Sequence, residues 1–164
     1  MMKGPGIFLA QFMSDEQPLD KFDTACAWAS GLGYTGVQVP TWDGRCMDLK
    51  QAAESKTYCD ELKGTAEANG VAISELSTHL QGQLVAVHPA YVSMFQCFAP
   101  DDVNTAEAMC EWGTQQVKYC LKASQHLGLD AMPTFSGALM WHTMYPWPQR
   151  PAGLVDEGFA ELAR

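Results

Sequence analysis

The amino-acid sequence predicts an α/β fold made of parallel β-then-α units, about four of them. Three observations predict it. Short apolar runs begin near Ile7, Thr35, Val71 and Leu129 and alternate with longer segments whose apolar residues recur at the helical period. Glycine, proline or Asn-Gly punctuation separates the two kinds of segment. The chain has 164 residues, 47% of them apolar, which suits one domain with a buried core and excludes disorder for its bulk.

Taken in order, Ile7 to Phe12 is a compact apolar run after Gly-Pro-Gly and reads as a buried strand. A helix follows from about Pro18, with Leu19, Phe22, Cys26 and Ala29 on one stripe, and Gly31 and Gly33 end it. Gly36 to Pro40 is the second strand, stopped by its proline. Residues 41–54 are a loop with an Asp43-Gly44 turn signal and a short helical turn near Leu49. Ser55 caps a helix that runs through Ala68, buries Cys59, Leu62 and Ala66, and closes at Asn69-Gly70. Val71 to Leu76 is the third strand and runs on into Ser77-Thr78-His79. Residues 80–104 form a long irregular connection, a length usually tied to function. The clearest helix opens at Asn104 or Thr105 and carries Ala106, Cys110, Gly113, Val117, Leu121, Ser124 and Leu127 at helical spacing up to Gly128. Leu129 to Phe135 is the fourth strand, weakened by Pro133, and a Trp/Pro-rich loop leads to a last helix over residues 154–164.

Successive β-then-α units imply strands that adjoin in chain order through right-handed crossovers. An open doubly wound sheet and a (β/α)₈ barrel both satisfy this, the barrel needing about 250 residues. No G-x-G-x-x-G and no P-loop follows the first strand, which removes the nucleotide-binding reasons for an open sheet. The two architectures remain in competition on these observations; on the barrel reading the chain is a partial barrel, with about four of eight units present. Such a piece exposes its outer strands and turns Phe8 or Leu9, Val37 or Val39, and Ile73 toward water, so it is expected to associate with a second copy or a partner subunit.

Charge and cysteine content bound the function classes. Ten basic against nineteen acidic residues leave a net charge of −9, which argues against nucleic acid and anionic membrane as partners. No apolar run approaches the roughly 18 residues of a membrane span, and the first residues do not read as a signal peptide. Cysteines 26, 46, 59, 97, 110 and 120 include no C-x-x-C pair and read as reduced core thiols, so a cytoplasmic location is expected.

Candidate chemistry clusters after the strands. Parity along an extended third strand puts Val71, Ile73, Glu75, Ser77, His79, Gln81 and Gln83 on one face, apolar at its start and polar at its end, the gradient of a barrel strand that opens into a catalytic mouth. His79 and His142 each follow a strand end, where an imidazole can act as base near neutral pH, and are the candidate catalytic residues. His88 lines the mouth or is solvated, and His126, near a helix C-terminus, reads as structural. Trp42, Trp141, Tyr145 and Trp147 lie in loops after strands and either stack on sugar rings or anchor those loops, whereas Trp112 lies inside a helix and reads as packing. Asp43 and Arg45 either hold a polar substrate or form a solvated turn.

The segment from Ser77 to Pro89, STHLQGQLVAVHP, resembles a stretch of the sugar phosphate isomerase/epimerase family, the xylose-isomerase-like TIM barrel superfamily. Phe135 to Leu139 (FSGAL) and Tyr145 to Pro151 (YPWPQRP) resemble a second motif of that group, and the whole chain is similar to the N-terminal half of such proteins. The resemblance implies that residues 1–164 are the N-terminal part of a TIM barrel domain acting on a sugar or keto-sugar by proton abstraction beside a carbonyl. A divalent metal (Mn or Mg, with Zn or Co as alternatives) would polarise the reacting oxygens. Its ligands come mainly from strands of the second half, so the resemblance assigns no metal ligand here and implies no tight metal binding by this chain. His79, Gln81, Gln83, Trp141 and His142 match positions that line the substrate side, and Glu75 and Trp42 join them from the strand reading. Three functions follow: an isomerase or epimerase; a lyase or hydratase on 3-oxo-glycosides of the C-glycoside-cleaving type; and a non-catalytic half-barrel that binds a sugar or a partner subunit. Products from 3-oxo-glucosides against free ketoses separate the first two.

Overall fold

A computed structural model of the chain describes residues 4–136, 140 and 151–164. The described residues are α/β, with three parallel strands among them in the order β1-β2-β3. These are β1 (Gly6–Phe8), β2 (Gly36–Pro40) and β3 (Ala72–Ser77). The helices are α1 (Phe22–Gly31), α2 (Leu49–Glu54), α3 (Lys56–Ala68), α4 (His79–Gly82), α5 (Val92–Phe95), α6 (Ala106–Leu127) and α7 (Leu154–Leu162). The chain divides into two compact units, Met1–Thr78 with Lys118–Pro133 and His79–Val117 with Thr134–Arg164, so α6 contributes its end to the first and its start to the second.

Local chemistry sets the element ends. Asp48 caps α2 by accepting from Gln51 N at 2.8 Å, and Ser55 caps α3 by accepting from Tyr58 N at 3.2 Å. Gly70, at φ 82°, closes α3 in the left-handed region that glycine tolerates. Thr105 caps α6 through Ala108 N at 3.1 Å. Helix α1 begins only at Phe22, not near Pro18, because residues 14–19 close into a turn through Ser14 N→Leu19 O at 3.0 Å.

The first unit packs α1, α3 and the end of α6 on one face of the sheet. Its core includes Leu9, Val37, Val39, Ile73 and Leu76 with Cys26, Ala29, Cys59, Leu62, Ala66, Cys120 and Ala123. Of the residues expected to face water, Phe8 or Leu9, Val37 or Val39, and Ile73, the structure buries Leu9, Val37, Val39 and Ile73 against helices, and Phe8 is half-buried. The second unit has a smaller core of Leu84, Val87, Phe95, Ala106 and Met109.

Two further expectations fail for identifiable reasons. Residues 129–135 form no strand; Thr78 N→Pro133 O, at 3.2 Å, ties them to the end of β3, and Pro133 has no N–H to extend a ladder. The parity reading of β3 fails twice. Register shifts between Val37 and Gln38, so that Val37 pairs with Ile73 but Gln38 with Glu75 and Val39 with Leu76. Ser74 is the extra residue of this bulge, and its hydroxyl donates to Val37 O at 3.1 Å. Ile73 and Leu76, three apart, thus share the core face, while Glu75 and Ser77 share the opposite one with Gln38 and Phe8. Beyond Ser77 the extended conformation ends, since residues 79–82 are helical and 83–86 form a 3₁₀ turn, so His79, Gln81 and Gln83 do not continue the strand face.

Candidate functional site

Parallel α/β sheets present ligand sites at the carboxyl ends of their strands. In the first unit the sheet face leading to that end carries a polar pair, and the end itself an aromatic pair. Gln38 Nε2 donates to Glu75 Oε2 at 2.5 Å across the β2–β3 register, with both side chains half-buried. This single bond fixes the carboxylate and, among the described residues, leaves Glu75 Oε1 and Gln38 Oε1 to accept from hydroxyls. Phe8, which registers with Gln38, meets the Trp42 ring edge-to-face with centroids 6.1 Å apart. On the same face as Glu75, the fully buried Ser77 hydroxyl has no hydrogen-bond partner among the described residues, and Ser77 O accepts from Thr41 N (3.1 Å) and Thr41 Oγ1 (2.8 Å).

The loop after β2 is fastened by charge. Arg45 donates to Asp43 through Nε (2.9 Å), Nη2 (2.7 Å) and its backbone N (3.0 Å), and to Asp15 through Nη1 (2.9 Å). The guanidinium holds the Asp43 carboxyl below the usual carboxylate range. Asp43 and Arg45, open at the sequence level between substrate contact and solvated turn, are thus bonded to one another.

The expected site residues divide between the units. Trp42 and Glu75 lie in the first. His79, Gln81 and Gln83 lie in the second, where the His79 ring stacks on Phe135 (4.1 Å, 14° between planes) and Gln83 Nε2 donates to His79 O at 3.0 Å. Gln81 is buried. Gly82 lets the chain approach Thr134 closely, since a Cβ there would collide with Thr134 Oγ1. Trp141 and His142 lie outside the described residues, as do Tyr145 and Trp147. His88 Nδ1 accepts from Ala90 N at 3.1 Å, and His126 bonds Ala52 O at 3.0 Å, which fits the structural reading of His126.

Sequence reasoning missed Gln38 and gave Phe8 only a packing role. The available signal was a lone amide inside the otherwise apolar run Gly-Val-Gln-Val-Pro. Its partner was not readable, because the bulge decides which residue of β3 stands opposite. A cavity of about 240 Å³ in the first unit, lined by Leu121, Ser124, Leu129 and Met132 among others, includes none of the expected residues. Among the described residues no group of three His, Cys, Asp or Glu converges as a metal site, and no helix is long and apolar enough to cross a membrane. The chain matches no family model and no curated protein.

Proposed function

We propose that this chain is the N-terminal part of a sugar isomerase/epimerase-type enzyme. Its parallel sheet would be the first portion of a TIM barrel, working in the cytoplasm on a free sugar or keto-sugar. The observation that carries the reading is the Gln38–Glu75 pair within two adjacent parallel strands, on the same sheet face as Phe8, with the Phe8–Trp42 pair at the carboxyl ends of β1 and β2. An oriented carboxylate accepts hydrogen bonds from sugar hydroxyls, and charge-assisted bonds of this kind are roughly twice as strong as neutral ones. An aromatic surface beside it covers the apolar C–H face of a pyranose or furanose ring. In this arrangement Glu75 orients the polyol, Gln38 holds Glu75, and Trp42 sets the ring plane. A divalent ion bound in a longer parent protein would polarise the carbonyl; among the described residues no three His, Cys, Asp or Glu side chains converge as its ligands would, so these residues are assigned binding and orientation only.

Saturation-transfer NMR with D-fructose, D-tagatose and methyl 3-oxo-glucoside tests the reading on the wild-type chain and on Trp42→Ala and Glu75→Gln. Transfer to at least one sugar that both substitutions abolish, with the far-UV spectrum unchanged, is the expected result. Absence of transfer to every sugar, or transfer indifferent to both substitutions, overturns it. Preference for the 3-oxo-glucoside moves the assignment toward the lyase class.

A further inference from the structure

We propose that Arg45 is a positioning residue for Trp42: its grip on Asp43 fixes the loop after β2, and so sets the aromatic wall of the sugar surface. The role in sugar binding rests on the function proposed above; the grip itself does not. Trp42 stands between two fastened neighbours. Thr41 is tied to Ser77 O by its backbone N and its hydroxyl. Asp43 accepts three hydrogen bonds from Arg45, and Asp43 O accepts from Cys46 N (2.9 Å) and Met47 N (3.2 Å), whose side chains are buried. With both flanks held, the indole keeps only its side-chain rotations, and Phe8 restricts those.

Arg45 also reaches across to the loop that follows β1, the strand that supplies Phe8. The loop after β2 is therefore held to the β1 segment twice, through Trp42 on Phe8 at the end of β1 and through Arg45 on Asp15 in the loop beyond it. The two ion pairs differ in weight. The Asp43 side chain is 12% exposed and shares a bidentate fork with Arg45, whereas Asp15 is 98% exposed. Exposed pairs contribute little, while a forked guanidinium–carboxylate pair imposes direction. Lysine cannot replace the arginine, because an ammonium has neither the planar fork nor the reach to a second carboxylate.

Fluorine NMR of 5-fluorotryptophan-labelled protein tests this, with the Trp42 resonance assigned through Trp42→Phe. In Arg45→Lys and Arg45→Ala the Trp42 resonance is expected to shift toward its position in the urea-unfolded chain and to broaden, while Trp28 and Trp112 keep theirs. Asp15→Asn is expected to leave all three in place. Arg45→Lys keeps the charge, so it carries the test if Arg45→Ala does not fold. A Trp42 resonance unmoved in Arg45→Lys overturns the proposal, and so does a common movement of Trp28, Trp42 and Trp112, which marks general loosening. Sugar binding is read separately on the wild-type chain. Failure there removes the function reading and leaves the fluorine result standing; binding that weakens several-fold in Arg45→Lys together with the Trp42 shift supports both.

Discussion

Truncating Leu76 tests the bulged register of β3 directly. Leu76 and Val39 are both 0% exposed and stand opposite one another between β3 and β2. Leu76→Ala deletes three buried carbons, about 2.4 kcal/mol at ~0.8 kcal/mol each. The residual cavity raises the loss to about 3–4 kcal/mol. Val39→Ala deletes two carbons and costs about 2 kcal/mol. Because the two side chains face one another, the double variant should depart from additivity by about 0.5–1.5 kcal/mol. An unbulged register would put Val39 opposite Glu75 and turn Leu76 to the other face. Urea unfolding followed by far-UV circular dichroism on the four proteins of the cycle gives the coupling. Additivity within about 0.3 kcal/mol, with Leu76→Ala costing under ~1 kcal/mol, would refute the bulge and the face assignment built on it.

The other predictions concern glycine, acid and thiols. Gly64 lies in α3 with nothing near a would-be Cβ, so Gly64→Ala should stabilise by about 0.5–1 kcal/mol, whereas Gly113→Ala in α6 would bring a Cβ within 2.8 Å of Leu84 Cβ and 2.9 Å of Gln81 O and should destabilise by about 1–3 kcal/mol, both read by urea titration. The Asp43 carboxyl titrates lower folded than unfolded, so its contribution to stability is complete above the ordinary carboxylate range and is lost as pH falls through the depressed native value; Asp43→Asn should flatten that part of the acid-unfolding curve. Burial pushes the Cys26, Cys46 and Cys120 thiols up to about 12, while Cys97 is exposed, so iodoacetamide at neutral pH should label Cys97 in the native protein and the other three only after unfolding, as peptide mass mapping would report.

What the sequence made legible was local. Ser55 and Asn69-Gly70 bound α3 as their side-chain and backbone preferences require, and the run from Ala106 to Leu127 became α6, although Leu121 on the expected stripe is exposed and Met109, Cys120 and Ala123 beside it are buried. The apolar runs near Ile7, Gly36 and Val71 became three adjacent parallel strands in chain order, but the first strand ends at Phe8 and not at Phe12, because Leu9–Gln11 winds into a 3₁₀ turn. The run from Leu129 to Phe135 did not, since one proline removes a ladder donor whatever the apolar content. Of the six cysteines read as core thiols, 26, 46, 59 and 120 are buried, Cys110 is half-buried and Cys97 is exposed; only Cys26, Cys59 and Cys110 had a predicted helical stripe to place them. Of the candidate site, Glu75 and Trp42 were readable from their position after or within strands. Gln38 was not, because its role depends on a register that no single strand encodes. Counting alternate residues from Val71 to Gln83 assumed one uninterrupted strand, and both the extra residue at Ser74 and the helical turn at His79 break that count.

The hydroxyl of Ser74 makes the β3 irregularity unlike a packing fault. By bonding Val37 O it occupies a carbonyl at the point where the ladder shifts. Deleting Ser74 would remove the extra residue and the bend it makes, yet leave Glu75 opposite Gln38 and Leu76 opposite Val39. Drawing Ser74 into the ladder would instead put it opposite Gln38 and Glu75 opposite Val39, exchanging inside and outside for everything after it. In related chains, a gap of one residue between Ile73 and Glu75 would thus straighten the strand without exchanging its faces, and the core phase depends on Ser74 staying outside the ladder.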